Sequence, residues 1–262
     1  MKALRILWRG TGFAFLCTVF YSLWLIGWPL AALSGANEPW RAWIFHTWAK
    51  CVMVLLSVRV EVVGKPPIAP FLLVSNHLGY VDIMLLASVA RCAFVSKAEI
   101  ASWPVIGLLA RSMGTVFLDR TRKRDVPRVV REIRRRYDRG QGVVFFPEGT
   151  STPGSEVAPF RSSLLEPAAQ AGLPVSHATL RYETSAGDPP AHLSVSWWGD
   201  MEFAPHFLEL LTLARIEARV VFGEESIRES DRKRLAEELH RRVASRFIPM
   251  TKSLNACLPT GI

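Results

Sequence analysis

The chain has 262 residues, half of them hydrophobic, with nine tryptophans and a mean hydropathy of +0.19, a composition that excludes an intrinsically disordered chain. Its net charge of +9 points to an anionic partner, whether nucleic acid, anionic lipid or a phosphorylated substrate. The four cysteines, Cys17, Cys51, Cys92 and Cys257, are scattered and lack the spacing of zinc ligands or of a disulfide framework.

Residues 1–58 read as an apolar membrane-anchoring segment and residues 59–262 as one further domain. Lys2, Arg5 and Arg9 precede a stretch from Gly10 to Asn37 with no charged side chain, long enough to span a bilayer. Pro29 is expected to kink or stop a helix near its far end. A second apolar segment, Trp40 to Val58, carries Arg41, His46 and Lys50. Such groups are costly in hydrocarbon, so this segment is expected at the interface or dipping into it. The basic residues before the apolar run place it at the cytoplasmic face of the inner membrane. A domain on that same side then requires a helical hairpin embedded from one face.

From residue 59 onward short apolar runs alternate with amphipathic stretches, the pattern of an α/β domain with one mixed sheet flanked by helices. Strands are predicted at Val58–Val63, Phe71–Val74, Cys92–Ser96, Thr115–Leu118, Gly142–Phe146, Val175–Arg181, His192–Trp197 and Ala218–Phe222. Helices are predicted at Ile83–Val89, Trp103–Arg111, Val126–Arg139, Leu164–Ala171, Pro205–Leu213 and Asp231–Phe247. In Val126–Arg139 one face is apolar and the other carries Arg128, Arg131, Arg134, Arg135 and Arg139. Anionic lipid headgroups account for such a face as well as nucleic acid does, and the chain has no recognisable nucleic-acid-binding motif.

Chemistry concentrates where strands end. Asn76-His77 and Asp82 follow the run Phe71–Val74. On one continuous helix the two side chains would diverge by about 140°, so they meet only if the chain bends between them, and Gly79 is the residue expected to allow it. Asp82 would then hold one imidazole nitrogen and leave the other free as a base. The competing reading makes Asp82 a helix N-cap. Arg120 ends the run Gly114–Leu118 and suits a phosphate. Glu148 lies between Pro147 and Gly149 after Phe145-Phe146 and is expected to accept a hydrogen bond from a substrate hydroxyl or a nearby backbone group. Lys97, after Ser96, is a further candidate phosphate contact.

Taken in order, Asn76-His77-x-x-x-x-Asp82, Phe117-Leu118-Asp119-Arg120 and Phe146-Pro147-Glu148-Gly149-Thr150 resemble the motifs of the glycerolipid acyltransferase family, over roughly Val60 to Val221. The resemblance implies transfer of an acyl chain from acyl-CoA or acyl carrier protein to a lysolipid. It makes His77 the general base and Asp82 its partner, with Arg120, Glu148, Gly149 and Thr150 at the acceptor, and gives binding roles to Asn76 and Lys97. Neither a metal nor a cofactor is implied, no nucleic acid is expected, and an anionic membrane is. Two positions depart from the pattern. Ser151 stands where the typical member has an arginine, and Phe160-Arg161-Ser162-Ser163 replaces a Phe-basic-x-Gly stretch, so Arg161 is the candidate to compensate. In addition, His177 replaces the second proline of the family's fourth motif. Lysophosphatidate is the expected acceptor, an amino-acid lysolipid such as lyso-ornithine lipid the alternative.

Overall fold

The structure, a computed structural model, describes residues 2–104, 106–119 and 125–251. Two helices open the chain, α1 (Lys2–Leu33) and α2 (Asn37–Leu55), joined by a short turn into an antiparallel hairpin. Then follow β1 (Val58–Val63), β2 (Phe71–Ser75), α3 (Val81–Val89), β3 (Cys92–Lys97), α4 (Ile106–Ser112), β4 (Val116–Leu118), α5 (Val126–Asp138) and β5 (Gly142–Phe145). The chain continues through α6 (Ser162–Ala171), β6 (Val175–Thr184), α7 (Ala191–Ser194), α8 (Phe203–Thr212), β7 (Ile216–Phe222) and α9 (Arg232–Ala244).

The strands form one seven-stranded sheet in the order β1-β7-β6-β2-β5-β3-β4, parallel throughout except for the β6–β7 pair. The central strands β2 and β5 are buried at every position, as expected of apolar runs covered on both faces. One face is covered by α2, α3 and α8, where Val52, Leu85 and Leu210 are fully buried. The other is covered by α5, α6 and α9 through Ile133, Leu165 and Leu239.

Two predicted elements differ from those found. The segment His192–Trp197, whose alternation suggested a strand, is the short helix α7 followed by an irregular run. Pro190 precedes the first helical residue with an extended backbone, and Ser194 O–H bonds back to the carbonyls of Pro189 and Pro190, so the alternation reflects loop packing. The predicted helix Trp103–Arg111 is present but starts later: α4 runs Ile106–Ser112, preceded by a 3-10 turn at Ala98–Ser102, because Pro104 restricts Trp103 to an extended conformation.

Helix α1 is long and apolar enough to cross a membrane, and its most apolar stretch has no buried residue. Leu4, Trp8, Phe15, Ile26, Leu30 and Leu33 are exposed on it. Helix α2 behaves differently. Its Phe45, Trp48, Ala49, Val52 and Met53 enter the core shared with α3, and His46 Nδ1 bonds the carbonyl of Ala87 in α3. The N-terminus of α1 is pinned to the same body: Arg5 donates to Thr212 O, and the buried Arg9 donates to Leu211 O, Leu213 O and Ser57 Oγ.

Candidate active site

The site is built at the carboxyl end of β2, where ligands bind in open α/β sheets. Strand β2 ends at Ser75 and α3 starts at Val81, so His77 to Tyr80 form a turn between two rigid elements. Across it His77 Nδ1 lies 2.8 Å from Asp82 Oδ2. Since a carboxylate accepts, Nδ1 carries the proton and Nε2 keeps its lone pair. Nε2 has no hydrogen-bond partner among the described residues, and the His77 side chain is 20% exposed. The imidazole thus has one edge fixed and the other open.

Asp82 is completely buried and would be costly to ionise alone. Three further donors compensate: Leu78 N–H at 2.6 Å, Gly79 N–H at 3.0 Å and the Tyr182 hydroxyl at 2.7 Å. Its place in the first turn of α3 adds the favourable end of the helix dipole. It is not an N-cap; Tyr80 occupies that position and makes no side-chain cap bond.

Gly79 serves the turn for a reason other than the expected one. Its backbone is not in the left-handed region. A Cβ there would instead fall 2.8 Å from Trp197 N, where Trp197 N–H donates to Leu78 O. The residue is needed for close approach of another chain segment rather than for a special dihedral.

Glu148 is buried, and both its oxygens are engaged: Oε1 accepts from His77 N–H at 2.6 Å and Oε2 from Ala158 N–H at 3.0 Å. It ties the His77 turn to the loop after β5, taking the neighbouring-backbone option of the two expected for it. Burial pushes its pKa up to about 8, against the pull of the two N–H donors. Asn76 is likewise committed: its amide donates to Leu180 O and accepts from Leu180 N–H. With 1% of its surface exposed, it bridges β2 to β6 where direct strand pairing has ended.

The remaining predicted residues are less tightly held. Lys97 is exposed at the end of β3. Thr150 is exposed beside Gly149, whose φ is +81°. Arg161 is exposed at the N-terminus of α6, where its backbone N–H donates to Pro147 O. Arg120 lies outside the described residues. His177 faces away from this site, on the α9 side of the sheet beside Gly223 and Arg242.

Two features went unseen in the sequence. Tyr182, fully buried on β6, reaches Asp82 across a separation of 100 residues. The only sequence hint was an aromatic on the core side of a predicted strand's extension. The second is a run of ring contacts. His77 stacks on Phe146 at 4.1 Å between centroids, Phe146 stacks on Phe94 at 6.1 Å, and Phe94 meets Phe45 edge-on at 6.1 Å. Phe45 in turn lines an apolar crevice between α1, α2 and α4, with Phe20, Trp24, Trp48 and Leu109. A further brace joins the turn to α8. His206 Nε2–H bonds Ser196 O, which leaves Nδ1 to accept from the Tyr80 hydroxyl at 3.0 Å.

Residues 59–180 match the family model described as Acyltransferase. The chain is 38% identical over 196 residues to a lyso-ornithine lipid O-acyltransferase of Rhodobacter capsulatus, covering 72% of this chain and 70% of that one. It is 30% identical over 209 residues to a 1-acyl-sn-glycerol-3-phosphate acyltransferase of Neisseria meningitidis, covering 79% and 81%. Its fold resembles the crystal structure of the 1-acyl-sn-glycerophosphate acyltransferase of Thermotoga maritima, with a TM-score of 0.65, 22% identity, and 94% and 97% of the two chains covered.

Proposed function

The chain belongs to the acyltransferase family that acts on lysolipids, and from that premise we propose a membrane-bound O-acyltransferase in which His77 is the general base. The carrying observation is the His77–Asp82 pair, with Nδ1 held and Nε2 open. Nε2 takes the proton of the acceptor hydroxyl as its oxygen attacks the thioester carbonyl. The carbon–sulfur bond then breaks, and the imidazolium returns the proton to the departing thiolate. A new ester forms with no acyl-enzyme and no metal step. Asp82 orients the ring and balances its transient charge. Phe146, stacked on His77, gives the reacting end of the acyl chain an apolar neighbour.

For the acceptor, an amino-acid lysolipid of the lyso-ornithine kind is better supported than lysophosphatidate, reversing the order expected from the motifs. An ornithine head carries both an ammonium and a carboxylate. The loop between β5 and α6 exposes one acidic and one basic side chain, Glu156 and Arg161, and has Ser151 where a second guanidinium would favour a phosphomonoester. The 38% identity to a lyso-ornithine enzyme supports the same choice. Lysophosphatidate is the second reading, favoured by the exposed ammonium of Lys97 at the end of β3.

The anchoring of α1 supports entry of the hairpin from the domain's own side, the cytoplasmic face. Its first turns are held by α8, and α2 leads straight into β1. A Ser34→Cys label at the hairpin tip should resist reagents added from the far side; labelling from there would mean a true crossing. Turnover of purified protein with both lysolipids tests the acceptor, lyso-ornithine lipid being expected as the better substrate. His77→Ala should cost roughly 10²–10⁴-fold in kcat with the fold intact, and near-normal turnover would refute the base.

A further inference from the structure

His177 has no part in the site described above, and its own surroundings do not satisfy it. It lies on the α9 side of β6 and is 3% exposed. Gly223, just past the end of β7, leaves room for the ring: a Cβ there would fall 2.2 Å from both Cε1 and Nε2. The His177 backbone is engaged, its carbonyl accepting from Gly223 N–H. The imidazole is not, because Nδ1 is buried with no hydrogen-bond partner, an arrangement that costs free energy unless a ligand completes it. Burial, with the nearby Arg242 and Arg246 guanidiniums, holds the pKa of the ring below its ordinary value against the pull of Glu238. The ring is therefore a neutral hydrogen-bonding group at this position.

His177 lines a cavity of about 300 Å³, within the range of small-molecule sites. Two of its walls are oppositely charged. Arg241 and Arg242 come from α9 and Arg246 from the turn after it, while Glu224 and Glu225 come from the loop after β7. Across the cavity these walls scarcely meet: among the described residues the one ion pair between them is Arg246 with Glu224, at 3.9 Å. Arg241 and Arg242 turn instead to Glu238 of their own helix, so one carboxylate serves two guanidiniums. A lone anion would suit the arginines but stand beside two carboxylates, and a lone cation would meet the reverse. A molecule with both a carboxylate and an ammonium suits both walls, and a neutral imidazole can bond either end.

We propose that this cavity binds a small zwitterion, a free amino acid or the amino-acid head of a lipid. Its carboxylate lies toward Arg242 and Arg246 and its ammonium toward Glu224 and Glu225. Ornithine, with two ammonium groups for the two glutamates, is the first probe. The experiment follows the His177 imidazole resonances of the full-length protein in detergent, identified by their loss in His177→Gln. Ornithine, lyso-ornithine lipid and inorganic phosphate are titrated separately. A saturable shift with ornithine would place the ligand among free amino acids, and a shift with the lipid alone would make it a headgroup. Either supports the proposal. The double variants Arg242→Gln/Arg246→Gln and Glu224→Gln/Glu225→Gln should each weaken binding of that ligand by about tenfold or more. None of these four side chains is buried, so both variants should melt as wild type and keep the turnover that depends on His77. No saturable shift with ornithine or the lipid at millimolar concentration would overturn the proposal. So would saturation by phosphate alone, or ligand affinity unchanged in the glutamine pair at 224 and 225, since either would leave a simple anion site.

Discussion

The imidazole at position 77 is held by a ring of groups bonded to it and to one another. Asp82 holds its Nδ1, Tyr182 holds the far oxygen of Asp82, and Glu148 holds the backbone of His77 itself. Tyr182→Phe should keep the fold and lower kcat by roughly tenfold with KM unchanged, the effect of losing one hydrogen bond to a charged group. A change in KM alone would argue against a positioning role. Glu148 gives a pH test. Its folded pKa of about 8 lies above its ordinary value, so the native state holds a proton there that the unfolded chain releases. Its contribution to stability is complete below the unfolded pKa and is lost as pH rises through about 8. Thermal melts should show the native Tm falling over that window, and Glu148→Gln should flatten the slope. At this scale the residue types were legible in the motif spacing, but roles were not. Asn76 read as a ligand contact and Glu148 as a contact to ligand or backbone; Asn76 bonds Leu180, 104 residues away, and Glu148 bonds His77 and Ala158, 71 and 10 residues away.

At the scale of elements, sequence pattern was sound where one periodicity governed a segment. The buried runs Phe71–Val74 and Gly142–Phe145 became the central strands, and the one-sided apolar face of α5 became the side packed on the sheet. It failed at His192–Trp197, where loop packing imitated a strand, and set the start of α4 too early at Trp103, which the following proline holds extended. The turn from β2 to α3 shows the same divide. A bend at Gly79 was foreseeable; its cause, the backbone of Trp197 lying against it, was not. Gly79→Ala should therefore displace the Trp197 segment and destabilise by about 1–3 kcal/mol, the usual cost of overpacking. Activity should fall with it, because Leu78 and Gly79 N–H both hold Asp82. Wild-type Tm and rate in that variant would contradict the steric account.

For the whole molecule, the apolar arm and the catalytic domain form one body. Arg9 is 5% exposed, and its guanidinium satisfies carbonyls at the end of α8. Arg9→Met should cost about 2 kcal/mol, in the range for hydrogen bonds to a charged group, visible as a lower midpoint in denaturant. A neutral outcome would mean that the arm is not anchored there. The sequence by itself determined the apolar arm, the α/β alternation and the pairing of His77 with Asp82, since each depends on residue type and near-neighbour spacing. Only the tertiary structure decided which nitrogen of His77 is free, that Tyr182 completes the support of Asp82, and that Arg9 ties the arm to the end of α8. Those outcomes depend on contacts between segments far apart in the chain, and on the side of the sheet each helix covers, which no local pattern encodes.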